Sequence, residues 1–422
     1  MTLRALTPIA LALLMGCFAC LLFAKPAATV PEDFRDRLIT NVPAPTALAF
    51  TPDGRMLIAS RSGKLRVYNN GTLLSRPALT LEKICTNGER GLLGLAVDPQ
   101  FETNRYIYLY YTHKKHGVCP LKKPELKTNP VNRVVRYVLS KNDTVGGRTI
   151  LIDNIPSPNG NHNGGDLHFG NDENLYVSVG DGGCNFIRPS MCQYQNAAAR
   201  YRKVLLGKIV RITRDGGIPD GNPYADDPDS APCADDGRNP HGIKCQEIFA
   251  LGLRNPFRFA VDPDATGTVL RVNDVGGQRW EEIDELDSVA DAGAHYGWNL
   301  CEGLHHNLEL HSGVDCDGAE YTGPIHEYHH RTGCESITGG AFVPDDAGWP
   351  ADYSDSYLYA DFICNKIFRL DPGGTGLERT LFHTVAGGGP VAMEFGPNGS
   401  GQDLYYTTFA NGGQVRRIAF TP

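Results

Sequence analysis

At 422 residues the chain is too long for one ordinary core, yet no charge run, Ser/Pro tract or low-complexity stretch divides it, so it reads as one large repetitive domain. Its net charge of −8, with no basic stripe or basic run, argues against a grip on nucleic acid or on an anionic membrane face. The 48 Gly and 28 Pro, spread among many Val, Ile, Tyr and Thr with almost no helical apolar spacing, exclude a helical bundle and describe an all-β fold of short strands and tight turns.

In chain order, residues 1–24 carry Arg4 and then an apolar run to Ala24, which reads as an export signal. Leu14-Met15-Gly16-Cys17 resembles a lipoprotein cleavage box, and an uncut helix of this length also suffices to span a bilayer, so lipid or helix anchoring stands beside cleavage. Residues 25–40 read as a linker and 41–420 as the folded domain, expected outside the cytosol in a periplasmic or secreted setting. Ten further cysteines, an even number with no zinc spacing, suit disulfides in an oxidising compartment. Pairing neighbours in sequence joins Cys85 to Cys119, Cys184 to Cys192, Cys233 to Cys245, Cys301 to Cys316 and Cys334 to Cys364, one connectivity among many that ten cysteines allow.

From residue 47 onward one pattern recurs: an apolar run, a Pro/Asp/Gly/Asn turn, a strand of the type Leu-Tyr-x-x, and a further strand ending in a basic and an aliphatic residue. It appears at 47–68, at 93–111, from 167 through 212, at 257–272, at 340–370 and at 391–418. Six such units, each too small to close a core alone, predict a six-bladed β-propeller of four-stranded antiparallel blades with disulfide-stapled loops. In that fold the loops at one end of every blade converge on the axis, so distant residues share one pocket.

The loops carry the chemistry. His162 lies in a glycine-rich turn before one strand and Asp181 in a glycine-rich turn after the next, so an antiparallel pair returns the carboxylate to the imidazole, the arrangement of a general base. Four more clusters sit at strand ends in other repeats: Asn87 to Gly94, Gly252 to Pro256, Asp274 to Asp284, and Gly293 to Trp298. Singly they read as turns and solvated faces.

Together they resemble the soluble quinoprotein family of glucose, aldose and sorbosone dehydrogenases, six-bladed propellers that use pyrroloquinoline quinone (PQQ) and calcium, and the related domain of hedgehog-interacting proteins. The resemblance runs from about Ala47 to Ile418 and is carried by Gly91-Leu92-Leu93-Gly94, the His162-x-Gly164-Gly165 to Gly180-Asp181 unit, Arg254-Asn255-Pro256 and Ala294-His295-Tyr296-Gly297-Trp298. It implies His162 as the base for a sugar's anomeric hydroxyl, Asp181 as its orienting carboxylate, Arg254 beside the quinone oxygens with Asn255 adding a polar contact, and Glu89 among the cofactor contacts. It also implies the carbonyls of Gly276 and Gly277 on a calcium that touches the quinone, and Glu282 with the carbonyl of Tyr296 on a structural calcium. Partners so implied are a sugar and an external electron acceptor.

The chain departs from the dehydrogenases at the cofactor anchors. Glu89 replaces a glutamine, Val275 replaces another, Lys366 stands near but not at the place of an expected lysine, and no arginines occur at 389–392. A different cation set, Arg90, Arg279 or Arg331, is the expected substitute. Two readings follow: a PQQ- and calcium-dependent aldose dehydrogenase, and a non-catalytic, calcium-stabilised propeller that binds a glycan or protein through the same mouth. Lactone hydrolysis on a calcium propeller ranks third, because the matched calcium sites rely on carbonyls.

Overall fold

The computed structural model describes residues 30–121, 129–185, 188, 191–239, 241–310, 313–372, 377–385, 388–399 and 401–422. The expected signal and anchor, residues 1–24, lie outside the described residues.

Six antiparallel sheets are arranged as blades, five of four strands and the first of five, where the short strand Leu79–Thr80 is added beside Lys64–Asn69. Their innermost strands, Pro45–Phe50, Leu92–Val97, Leu167–Phe169, Pro256–Val261, Ile337–Phe342 and Pro390–Asn398, contact one another in succession and close a ring. Strands here are short because each needs only to span one blade, and their central members read as almost unbroken apolar runs: Met56–Ser60, Leu175–Val179 and Tyr357–Asp361 are buried at every position. Both faces of such a strand pack on neighbouring blades, so the alternation of a half-exposed sheet is lost.

The core is correspondingly divided into layers between blades. Leu57, Leu65 and Val67 of the first blade pack with Leu95, Leu109 and Val135 of the second. Tyr110, Val134 and Ile152 of the second pack with Val177 and Val210 of the third, and the pattern repeats around the ring until Tyr405 and Val415 meet Ile58.

Residues 34–40, read in the sequence as linker, form a strand together with Asn41. Phe34–Asn41 pairs antiparallel with the C-terminal strand Gln414–Phe420 and completes the sixth blade, so the first strand of the described residues closes the ring on the last. Its burial pattern is irregular and its sequence, Phe-Arg-Asp-Arg-Leu-Ile-Thr-Asn, is polar, as suits an outer edge, which is why composition alone does not mark it. The five disulfides join the five neighbouring pairs expected. They staple the long loops: Cys233–Cys245 closes an excursion of the third blade and Cys301–Cys316 one of the fourth.

Candidate active site

The loops before and after the inner strands enclose a cavity of about 580 Å³ on the propeller axis. Every blade contributes to its wall, including Thr46 and Arg61 from the first, Glu89 and Leu93 from the second, Arg254, Asn255 and Arg258 from the fourth and Thr338 from the fifth.

His162 lies in that wall with its backbone in the left-handed region, φ 53°. A non-glycine residue held there costs of order 1–3 kcal/mol and persists only where its surroundings fix it. Two contacts do so: the backbone N–H of His162 donates to Glu89 Oε2 at 2.7 Å, and its carbonyl accepts from Gly182 N at 3.0 Å. Glycine is required close by, since a Cβ on Gly164 would stand 2.8 Å from Gly180 N.

The strand Leu175–Val179 carries the chain back, and Asp181, fully buried, meets the ring: Nδ1 of His162 is 2.8 Å from Asp181 Oδ1. A carboxylate only accepts, so Nδ1 carries the proton and Nε2 remains the ring's acceptor. Asp181 is itself held on both oxygens, Oδ1 by Gly183 N at 2.7 Å and Oδ2 by the indole N–H of Trp298 at 2.8 Å. Trp298, quoted in the sequence as part of a motif but given no role, thus aligns the carboxylate that aligns the imidazole.

Arg254 and Asn255 arrive from the loop before Pro256–Val261. Arg254 Nη1 donates to the carbonyl of Val275 at 2.8 Å, its guanidinium carbon lies 5.4 Å from the Trp298 ring, and its buried Nε has no hydrogen-bond partner. Asn255 Oδ1 accepts from Gly164 N at 3.2 Å. His162, Arg254, Asn255, Glu89 and Gly276 therefore line one cavity, with Asp181 directly behind His162.

Gly276 and Gly277 belong to a loop gathered on one residue the sequence did not single out. Glu302 Oε1 accepts from the backbone N–H groups of Gly277, Gln278, Arg279 and Trp280 at 2.7–3.1 Å. A Cβ on Gly276 would stand 1.5 Å from the carbonyl oxygen of Trp280, so the curl admits only glycine there. The Gly277 carbonyl accepts from the Tyr194 hydroxyl at 3.4 Å.

Glu282 lies apart from the cavity wall, in a buried cluster with Asp274 and Asp284 whose ligand oxygens lie within 4.8 Å of one another. The hairpin places Asp274 opposite Glu282 and Val272 opposite Asp284, so all three carboxylates share one face. Burial pushes the Asp274 carboxyl up to about 7, against the pull of the Arg254 and Asn255 N–H groups. Burial, with the neighbouring carboxylates adding to it, pushes Glu282 and Asp284 well above the usual carboxylate range. Glu282 Oε2 and both oxygens of Asp284 have no hydrogen-bond partner among the described residues. Buried, unpaired oxygens of this kind fit a hard divalent cation. The Tyr296 side chain is buried nearby, its hydroxyl donating to the Glu285 carbonyl at 2.7 Å.

The expected substitute cations are not at the cavity. Arg90 is fully buried and turned away, donating to Ser157 Oγ at 2.9 Å and to the carbonyls of Ser157 and Pro120, both at 2.6 Å. Arg279, Arg331 and Lys366 do not line the cavity either; the first two are exposed, and Lys366 opens the third strand of the fifth blade. Arg61, Arg254 and Arg258 are the arginines of the wall. Arg61 lies just beyond the first repeat's second strand and Arg258 inside an inner strand, positions that look structural in a linear reading.

The fold and the cavity together define a six-bladed propeller with an oriented imidazole and arginines on its axis. The chain belongs to the glucose/sorbosone dehydrogenase family, whose profile it matches over residues 42–380. It is 30% identical to the aldose sugar dehydrogenase YliI of Escherichia coli over 67% of this chain and 65% of that protein. It is 28% identical to quinoprotein glucose dehydrogenase B of Acinetobacter calcoaceticus, over 65% of this chain and 54% of that one. The human hedgehog-interacting protein matches at 26% over 54% of this chain and 32% of its own length. The first three curated relatives are thus spanned over 54–65% of their length. Among solved structures, the PQQ-bound aldose sugar dehydrogenase of Streptomyces coelicolor shares the fold with a TM-score of 0.66, at 21% identity over 93% of this chain and 99% of that one.

Proposed function

We propose that this protein oxidises an aldose-type sugar to its lactone with PQQ in the axial cavity and calcium beside it. The observation that carries the reading is His162 on the cavity wall with Nδ1 held 2.8 Å from a buried carboxylate. An oriented titratable pair in a cleft marks a site of chemistry. His162 Nε2 takes the proton of the anomeric hydroxyl as the carbon–oxygen double bond forms, and Asp181 stabilises the imidazolium. General-base help of this kind is worth about 10²–10⁴-fold. PQQ, when bound, supplies the acceptor for the anomeric hydrogen, which leaves as hydride with two electrons.

The cofactor carries several carboxylates, and the cavity fits that charge: Arg61, Arg254 and Arg258 line it, and Nε of Arg254 is buried without a hydrogen-bond partner, while Arg258 Nε already faces Asp166 Oδ1 at 3.9 Å. Arg254 and Arg258 also offset charge that develops in the transition state. Two sets of oxygens would hold calcium, the carbonyls of the Gly276–Gly277 loop and the cluster of Asp274, Glu282 and Asp284. Five disulfides support an extracytoplasmic location, with an external acceptor taking the electrons. No helix among the described residues is long and apolar enough to cross a membrane.

A second reading, a non-catalytic propeller that binds a glycan or protein, is favoured by Glu89 and Glu335, which put negative charge on the same wall. Calorimetry separates the two: PQQ binding in the presence of calcium, with dye reduction on adding an aldose that His162→Ala abolishes, supports the dehydrogenase. Absence of PQQ binding with calcium present sinks it.

A further inference from the structure

The buried carboxylates at the fourth blade do not stand in equivalent surroundings. Asp284 is fully buried with neither oxygen hydrogen-bonded, and Glu282 leaves Oε2 unpartnered, so both are spare ligands turned on the same point. Asp274, also fully buried, has both oxygens engaged outward: Oδ2 accepts from Arg254 N at 2.7 Å and Oδ1 from Asn255 N at 2.6 Å. One carboxylate therefore belongs at once to the cation cluster and to the loop that carries the two cavity-lining residues.

That loop is in turn tied to both members of the imidazole–carboxylate pair. The Arg254 carbonyl accepts from Asp181 N at 2.8 Å, and Asn255 Oδ1 accepts from Gly164 N, two residues after His162, at 3.2 Å. The loop's other edge is fixed to the same hairpin, since Val275 N donates to the Asn255 carbonyl at 3.1 Å. From Asp274 the route to Asp181 crosses two hydrogen bonds and one residue of backbone.

We propose that Asp274 is a positioning residue through which a divalent cation bound at Glu282 and Asp284 sets the placement of Arg254 and Asn255 in the cavity. This rests on the calcium part of the reading above and not on sugar oxidation. With the cation present, Asp274 is drawn toward it and its two oxygens keep the direction the loop N–H groups need. With the cation removed, the unpartnered oxygens of Glu282 and Asp284 are left without a ligand in a buried space, and the carboxylate common to both sets loses what fixed it, together with the loop it holds.

Backbone amide exchange of the full chain, compared in calcium chloride and in a calcium chelator, reads this without turnover. The Arg254, Asn255 and Asp181 amides are expected to exchange roughly 10-fold or more slowly with calcium. In Asp274→Asn, calorimetry still detects calcium, while those amides exchange alike with and without it; Asp274→Glu restores part of the difference. In Asp284→Asn, calcium affinity falls roughly 10-fold or more and protection returns only at correspondingly higher calcium. Unchanged exchange in the wild-type chain on chelation overturns the proposal, as does calcium-dependent protection that persists in Asp274→Asn. Should Asp274→Asn fail to fold, wild type and Asp284→Asn decide alone. A chain that oxidises no sugar but shows calcium-dependent protection of Arg254 and Asn255 retains this inference and loses the dehydrogenase reading.

Discussion

At the scale of single residues, the site is a sequence of supports ending in one imidazole. Trp298 holds Asp181, Asp181 holds His162 Nδ1, and Glu89 holds the His162 backbone in a conformation it would not adopt unaided. Replacing Trp298 by Phe keeps the ring but leaves Asp181 Oδ2 short of a donor in a buried site, at a cost of about 1–3 kcal/mol. The expected outcome is a fall in kcat of about 10-fold or more with KM little changed, read by steady-state dye reduction, together with a lower Tm. Elsewhere along the axis, burial pushes the Glu394 carboxyl up to about 7, with Asp166 raising it and His168 opposing. The folded chain then holds a proton that the unfolded chain loses near its ordinary value, so this stability is present at low pH and is lost as pH rises through about 7. Glu394→Gln should remove that loss, giving a smaller fall in Tm between pH 5 and pH 8 than the wild type shows.

At the scale of elements, loops are positioned by buried acids as much as by the strands that flank them. Glu302 gathers four consecutive N–H groups on one oxygen and so shapes the Gly276–Gly277 loop. Hydrogen bonds to a charged group are the strong ones, about 1.5–3 kcal/mol each. Glu302→Gln removes the charge and is expected to weaken PQQ and calcium binding by about 10-fold in calorimetry, while the Cys301–Cys316 loop around it stays closed. Unchanged binding would show that the loop's shape is set elsewhere. The motif regions were legible because glycine and imidazole stand out in a linear reading. Glu302 was not, because a single glutamate in a loop is indistinguishable from a solvated one until its four donors are seen around it.

At the scale of the whole molecule, stability depends on closure. Among the described residues no blade has a core of its own; each apolar layer lies between two blades, and the sixth blade is itself completed by the strand Phe34–Asn41 against Gln414–Phe420. Removing residues 30–41 deletes Phe34 from the layer it shares with Trp349, Tyr353 and Phe382 and exposes the edge of the C-terminal strand. Loss of a buried Phe side chain alone costs about 3–5 kcal/mol. The truncated chain should unfold at lower temperature and associate through its open edge in size-exclusion chromatography; a monomer of unchanged Tm would show the ring closed without it.

The amino-acid sequence by itself determined the six-fold repeat, the all-β class and the candidate imidazole, because each is written in local spacing: a turn signal, an apolar run, a histidine among glycines; it left the cysteine connectivity open, and the structure joins each to its neighbour. The tertiary structure alone decided which charges meet. Arg90 adjoins Glu89 in sequence yet is buried against Ser157, whereas Arg61 and Arg258, from other repeats, reach the cavity. Asp274 and Asp284 become partners of Glu282 only through the register of a hairpin. Closure of a propeller brings residues from six blades to one axis, and the distance between charges, which sets their energy, is a property of that closure and not of their separation along the chain.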